Sequence, residues 1–126
     1  MAADRTTDFD DWLVETFRRV NAFTMLIVLL RIEETSVEPL ASSYIHVIGD
    51  EIRWADMVAM FRDAGASWNG AAFFQGDRDG LIDDATAKWR LSSLSRHLRK
   101  DRSILTHSDF FNSDGLRLKI EQITTH

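Results

Sequence analysis

The sequence predicts an α+β fold, one domain over residues 1–126 with a mixed β-sheet and the element order αββαβαββ. Three observations carry this expectation. Apolar residues recur at helical spacing in three separated stretches, 9–20, 54–61 and 87–98. The run Phe23–Leu30, interrupted only by Thr24, has no polar side in either period, as expected of a strand buried on both faces. Near the end, Asn112-Ser113-Asp114-Gly115 is a turn signal between two strand-like segments.

The first helix opens at Thr7-Asp8-Phe9-Asp10, whose Thr and Asp have capping-box spacing and can satisfy the free N–H groups of a helix start. Phe9, Trp12, Leu13, Phe17 and Val20 then mark one buried face, with Asp11, Glu15 and Arg18 opposite. Residues 33–42, with the chain's single proline, Pro39, read as a loop, and Tyr44–Ile48 as a second strand hairpin-paired with the first. After the Gly49-Asp50-Glu51 turn, Trp54, Met57, Val58 and Phe61 stripe a helix that Gly65 is placed to end. Ala71–Gln75 is a short strand, making 44–75 a βαβ candidate with a right-handed crossover. Asp84–Lys100 is the third helix, striped by Ala87, Leu91, Leu94 and Leu98. A hairpin of strands 104–111 and 116–123 closes the order.

Composition narrows the function classes. The chain has no cysteine, which excludes disulfide frameworks, zinc fingers, iron–sulfur ligation and thiol nucleophiles and fits a reducing compartment. The polar start has no apolar core of a secretory signal, and the apolar stretch 22–32 is shorter than the roughly 20 residues a membrane span needs. A cytoplasmic protein without membrane contact is the expectation. The net charge of −5 is segregated: residues 1–84 hold 16 Asp/Glu against 7 Lys/Arg, whereas 85–126 hold 4 against 8. Such asymmetry bears on partners.

No spacing supports a cofactor, a metal or a catalytic centre. The Asp77–Asp83 segment imitates a calcium loop, but Gln75 and Thr86 stand where its anchoring carboxylates belong. Its residues suit a turn in which Asp83 or Asp84 caps the next helix. The histidines at 46, 97, 107 and 126 show no metal-ligand spacing. His46 shares a strand side with Tyr44 and Ile48, and His107 with Asp109. A small enzyme of unknown chemistry is a further alternative, and it would need a pocket joining His46 or His107 to carboxylates brought in from elsewhere. Neither a nucleophile elbow nor a phosphate-binding glycine loop is present.

The helix around 84–100 is the most informative element. Opposite its leucines lie Trp89, Ser92, Arg96, Arg99 and Lys100, with Lys88 and Arg102 at the ends. Tryptophan buries large area when it can, so its place among cations marks Trp89, Arg96, Arg99, Lys100 and Arg102 as candidate binding residues. The plain alternative is a helix packed on two sides near its start, with a solvated basic end that complements its own dipole. Surplus aromatics at 68, 73, 74, 89, 110 and 111 point to protein–protein contact, with a partner protein or a second copy as a homodimer. The same helix with the hairpin after it offers an alternative, nucleic-acid binding by phosphate contact and base stacking.

Two local likenesses accompany this reading. Ser92-Ser93-Leu94-Ser95-Arg96-His97-Leu98-Arg99-Lys100, with Ile104-Leu105 and the hairpin, resembles the recognition helix and wing of winged-helix DNA-binding proteins over the last third of the chain. It implies base or phosphate contacts for Arg96 and Arg99. Upstream the chain departs from that pattern, with Asp83 and Asp84 in place of apolar and Ala residues. The Gly49-Asp50-Glu51-Ile52 turn and its helix resemble barstar-like nuclease inhibitors, whose Tyr-Tyr-Gly segment is replaced here by Ala66-Ser67-Trp68-Asn69-Gly70.

Overall fold

A computed structural model describes residues 7–34, 36–65, 67–76 and 80–118. Helix α1 spans Asp8–Val20, strand β1 Phe23–Ile32, β2 Val37–Val47, α2 Trp54–Arg62, β3 Gly70–Gln75, α3 Asp84–Lys100 and β4 Asp109–Asn112, with a 3-10 helix at Arg102–His107 before β4. The four strands form one sheet in the order β2-β1-β3-β4. No helix among the described residues is long and apolar enough to cross a membrane.

Strand β1 is the spine. Its first eight residues are buried because its two faces serve two different cores. Phe23, Met25, Ile27 and Leu29 face α1 and α2, with Ala71 and Phe73 of β3 beside them. Leu26, Val28 and Leu30 face α3, with Ala72 and Phe74. The first core is aromatic: the Phe9 ring lies 4.9 Å from Phe73, 5.5 Å from Phe111 and 5.2 Å from Trp54, centroid to centroid, in tilted and edge-on contacts of the kind aromatic pairs favour.

The α+β class and the order of elements from α1 to β4 stand as the sequence predicts. The sheet, however, is antiparallel at every pairing rather than mixed. Strands β2 and β3 do run the same way, but β1 lies between them. An unbroken apolar run reports burial on both faces, and here helices cover both faces of an antiparallel sheet, so the run carries no information on direction.

Two further expectations change. The predicted loop 33–42 is largely strand, since β2 starts at Val37 and its pairing with β1 shifts register between Leu29 and Leu30. Pro39 is tolerated there because β2 is an edge strand, where a missing N–H need break no ladder bond. The terminal hairpin is shorter at its start, with Ile104 and Leu105 in the 3-10 helix and Leu105 fully buried. On its return, Arg117 bridges Phe111 and Leu118 N–H donates to Phe110 C=O at 2.8 Å. The predicted strand beyond 118 lies outside the described residues.

Helix starts behave as their sequences suggest. The Thr7 hydroxyl accepts from Asp10 N–H and the Asp10 carboxylate accepts from Thr7 N–H, both at 3.1 Å. The other Asp10 oxygen accepts from Trp54 N–H at 2.7 Å, so one buried carboxylate serves the first turns of both α1 and α2. The turn before Arg117 closes over this junction. Phe9 N–H donates to Gly115 C=O, and the Trp54 indole N–H donates to Ser113 C=O at 3.2 Å. Gly115 sits at φ +77° with its Cα face against the Trp54 ring, a place no side chain fits without strain.

Candidate functional site

Helix α3 starts where Asp83 accepts from Thr86 N–H at 2.7 Å, so the aspartate pair at 83–84 contributes a helix cap, as its sequence suggests. Hydrogen bonding from the Thr86 side chain, and then from its backbone N–H, holds the Asp83 carboxyl below the usual carboxylate range. From this start the helix lies along β2 and β1 with Ala87, Leu91 and Leu98 buried. The opposite side faces solvent. Trp89 is 67% exposed, the most exposed large apolar side chain among the described residues. Beside it lies an open groove of about 320 Å³ over Leu26 and Phe74, with Gln75, Gly76 and Ser93 on its walls. The Arg90 guanidinium donates to Gly76 C=O and ties the helix to the end of β3 below the groove.

Of the residues singled out from sequence, Arg96, Arg99 and Lys100 are exposed, and among the described residues none of the three makes an ion pair. Arg96 and Lys100 stand two and three turns beyond Trp89 on nearly the same side of the helix. Arg99 turns toward β2 and lines a recess with Pro39, Leu40 and Ser95. Arg102 opens the 3-10 helix beyond this face. The surplus of aromatics expected from sequence is smaller in the structure. Phe73, Phe74, Phe110 and Phe111 are buried, and Trp68 is half-buried against Trp54 and Phe61. Trp89 alone of the six is exposed.

A second cluster escapes sequence reasoning. The Thr24 Oγ1 lies 2.9 Å from His46 Nδ1, and His46 Nε2 lies 2.9 Å from Asp84 Oδ1. Tyr44, whose ring meets the His46 ring edge-on at 5.6 Å, also bonds the Asp84 carboxylate. Hydrogen bonds from His46 and Tyr44 hold the Asp84 carboxyl below its ordinary range, while partial burial, with the Asp84 charge beside it, pushes the Tyr44 hydroxyl up. A self-consistent proton arrangement has the Thr24 hydroxyl donating to Nδ1 and the Nε2 proton donated to Asp84.

The hydroxyl, imidazole and carboxylate are in the order that nucleophilic catalysis uses, but the geometry opposes that use. Thr24 is fully buried, and its oxygen already accepts from Ile82 N–H at 2.9 Å, leaving no approach for a substrate carbonyl. What the chain of contacts does is fasten the start of α3 to β1 and β2. The only sequence signal for it was the shared strand side of Tyr44 and His46. His107 offers no counterpart, because it lies in the 3-10 helix and the Asp109 carboxylate is bonded to Arg117 at 2.9 Å. The winged-helix likeness also loses its support: α3 follows a strand and lies against a sheet, and Ile104-Leu105 is helical.

No family model, curated protein or solved structure matches this chain.

Proposed function

We propose that this domain is a protein-binding module whose contact surface is centred on Trp89. The observation that carries the reading is a tryptophan left 67% exposed beside an apolar groove, in a domain whose other described large aromatics are buried or half-buried. Covering it by a partner contributes on the order of 3 kcal/mol of apolar burial, the scale of an interface anchor. Arg96 and Lys100 lie beyond that anchor on nearly the same side of the helix and favour a partner with acidic groups to one side of an apolar side chain. The cysteine-free composition supports a cytoplasmic setting.

A display library of random peptides, selected on the full chain and counter-selected on Trp89→Ala, tests the reading. The expected result is a set of aromatic or aliphatic peptides with flanking acids that bind only the wild type, while Trp89→Ala melts within a degree or two of it. Peptides that bind both proteins equally would remove Trp89 from the interface. If Trp89 instead joins two copies of this chain, sedimentation will show a dimer that Trp89→Ala dissociates.

The shared exposed side of Trp89, Arg96 and Lys100 also favours a second reading, stacking and phosphate contact with single-stranded nucleic acid. That reading requires binding that falls steeply with salt and weakens when Arg96, Arg99 and Lys100 become Ala. Binding that is insensitive to salt, or none to a mixed-sequence oligonucleotide, rules it out.

A further inference from the structure

We infer that the free edge of β2 accepts an extended protein segment in which acidic and apolar residues alternate, a contact surface separate from the Trp89 groove. Strand β2 is eleven residues long and, among the described residues, ends the sheet and pairs only with β1. Edge strands are usually guarded by charges, proline, bulges or short length. Here the guards are gathered at one end: Glu38, Pro39 and the register shift all precede Ala41. From Leu40 to Val47 the edge has no proline, lysine, arginine, aspartate or glutamate. Among the described residues no hydrogen bond from outside the β1–β2 ladder reaches its backbone.

Both flanks of this edge are concave, and they differ in chemistry. On one face an apolar recess of about 210 Å³ opens between Ala41 and Ser43 of β2 and Met60 and Ala64 at the end of α2. On the other, a trough of about 340 Å³ lies between Tyr44 and the Lys88 and Ser92 of α3, and a second recess of about 190 Å³, which shares Ser42 with it, lies between Leu40 and the Ser95 and Arg99 of α3. Successive side chains of an added strand point to opposite faces. One set would enter the apolar recess, and the other would meet Lys88 and Arg99.

The two cations lie eleven helical residues apart, about 16 Å along α3. A strand advances roughly 3.3 Å per residue, so acidic residues four or six apart on one side reach both. Self-pairing through β2 fits poorly. An antiparallel pair of copies would bring Lys88 of one trough toward Arg99 of the other, and like charges across an interface select against it. Charge therefore favours a partner of different sequence.

The test uses the full chain, isotopically labelled, and an end-blocked nine-residue peptide of alternating valine and glutamate, with a valine–lysine peptide as its counterpart. The expected result is binding of the glutamate peptide, with slowed amide exchange across Leu40–Val47. Changing Lys88→Glu and Arg99→Glu together should weaken it roughly tenfold and confer binding of the lysine peptide. Both positions are exposed, and the milder Lys88→Gln/Arg99→Gln pair provides the same comparison should the double reversal perturb folding. No binding, affinity unchanged by the charge swap, protection away from β2, or a β2-mediated dimer of the free chain would each overturn the inference. Because exchange is read residue by residue, this result and the Trp89 result stand or fall independently.

Discussion

The carboxylate of Asp10 accepts from the backbone N–H of Trp54 at 2.7 Å while it closes the capping box with Thr7. Two helices that share no sequence neighbourhood thus begin on one side chain, itself 7% exposed. Asp10→Ala should cost about 3 kcal/mol, combining a lost cap with a buried N–H left unmatched. Asp10→Asn keeps an acceptor and should cost less than half as much. Urea denaturation compares them, and a loss under about 1 kcal/mol for the alanine would show that water replaces the carboxylate.

Gly115 presses on the same junction from the other side. At φ +77°, with a methyl group directed at the Trp54 ring, Gly115→Ala should destabilise by roughly 1–3 kcal/mol. Near-ultraviolet dichroism of the buried tryptophans should change with it. An unchanged melting temperature would mean that the 113–117 turn does not bear on the core.

Thr24→Val keeps the shape of the side chain and removes the oxygen that meets His46 and Ile82. The buried Ile82 N–H and the His46 Nδ1 lose their partner, so a loss of about 2 kcal/mol is expected. Faster amide exchange should be confined to the start of α3 and the residues just before it. Uniform acceleration over the whole sheet would instead mark a global effect.

Asp84 and Tyr44 give the pH dependence opposite limbs. The Asp84 carboxyl is depressed, so its stabilising effect is present above its unfolded value near 3.8 and is lost as pH falls through the lower folded value. The Tyr44 hydroxyl is raised, so its effect is complete below about 10 and is lost as pH rises through the higher folded value. Melting temperatures should show Asp84→Asn flattening the acid limb and Tyr44→Phe the alkaline one. Parallel curves for wild type and both variants would exclude the pair as titrating contributors.

What the sequence made legible follows from which forces are local. Helix α3 has the bounds that its cap and leucine stripe predict, because both signals lie within the helix itself. The place of Trp89 opposite that stripe was legible for the same reason, but its exposure was not, because whether a second element packs there is decided by the tertiary fold. Strand direction was not, because burial on two faces produces the same apolar run in parallel and antiparallel sheets. Pro39 misled because its cost depends on whether a neighbour needs its N–H, and only the sheet order decides that. The Thr24–His46–Asp84 contacts join residues 22 and 38 positions apart and exist only in the observed β1–β2 register, where Thr24 and His46 are opposite one another.

The placement of β1 between two partners of unequal sequence distance orders the assembly of the domain. Its pairing with β2 closes across the short turn after Ile32, whereas β3 must arrive from beyond α2 and β4 from beyond α3. Loop-closure entropy makes the first pairing the cheaper nucleus and leaves the other side of the spine waiting. A folding chain therefore exposes the β3-facing edge of β1, the most apolar strand it has, for longer than any other. Conditions that slow the arrival of β3 should favour aggregation through that edge, even in variants whose native stability is unchanged.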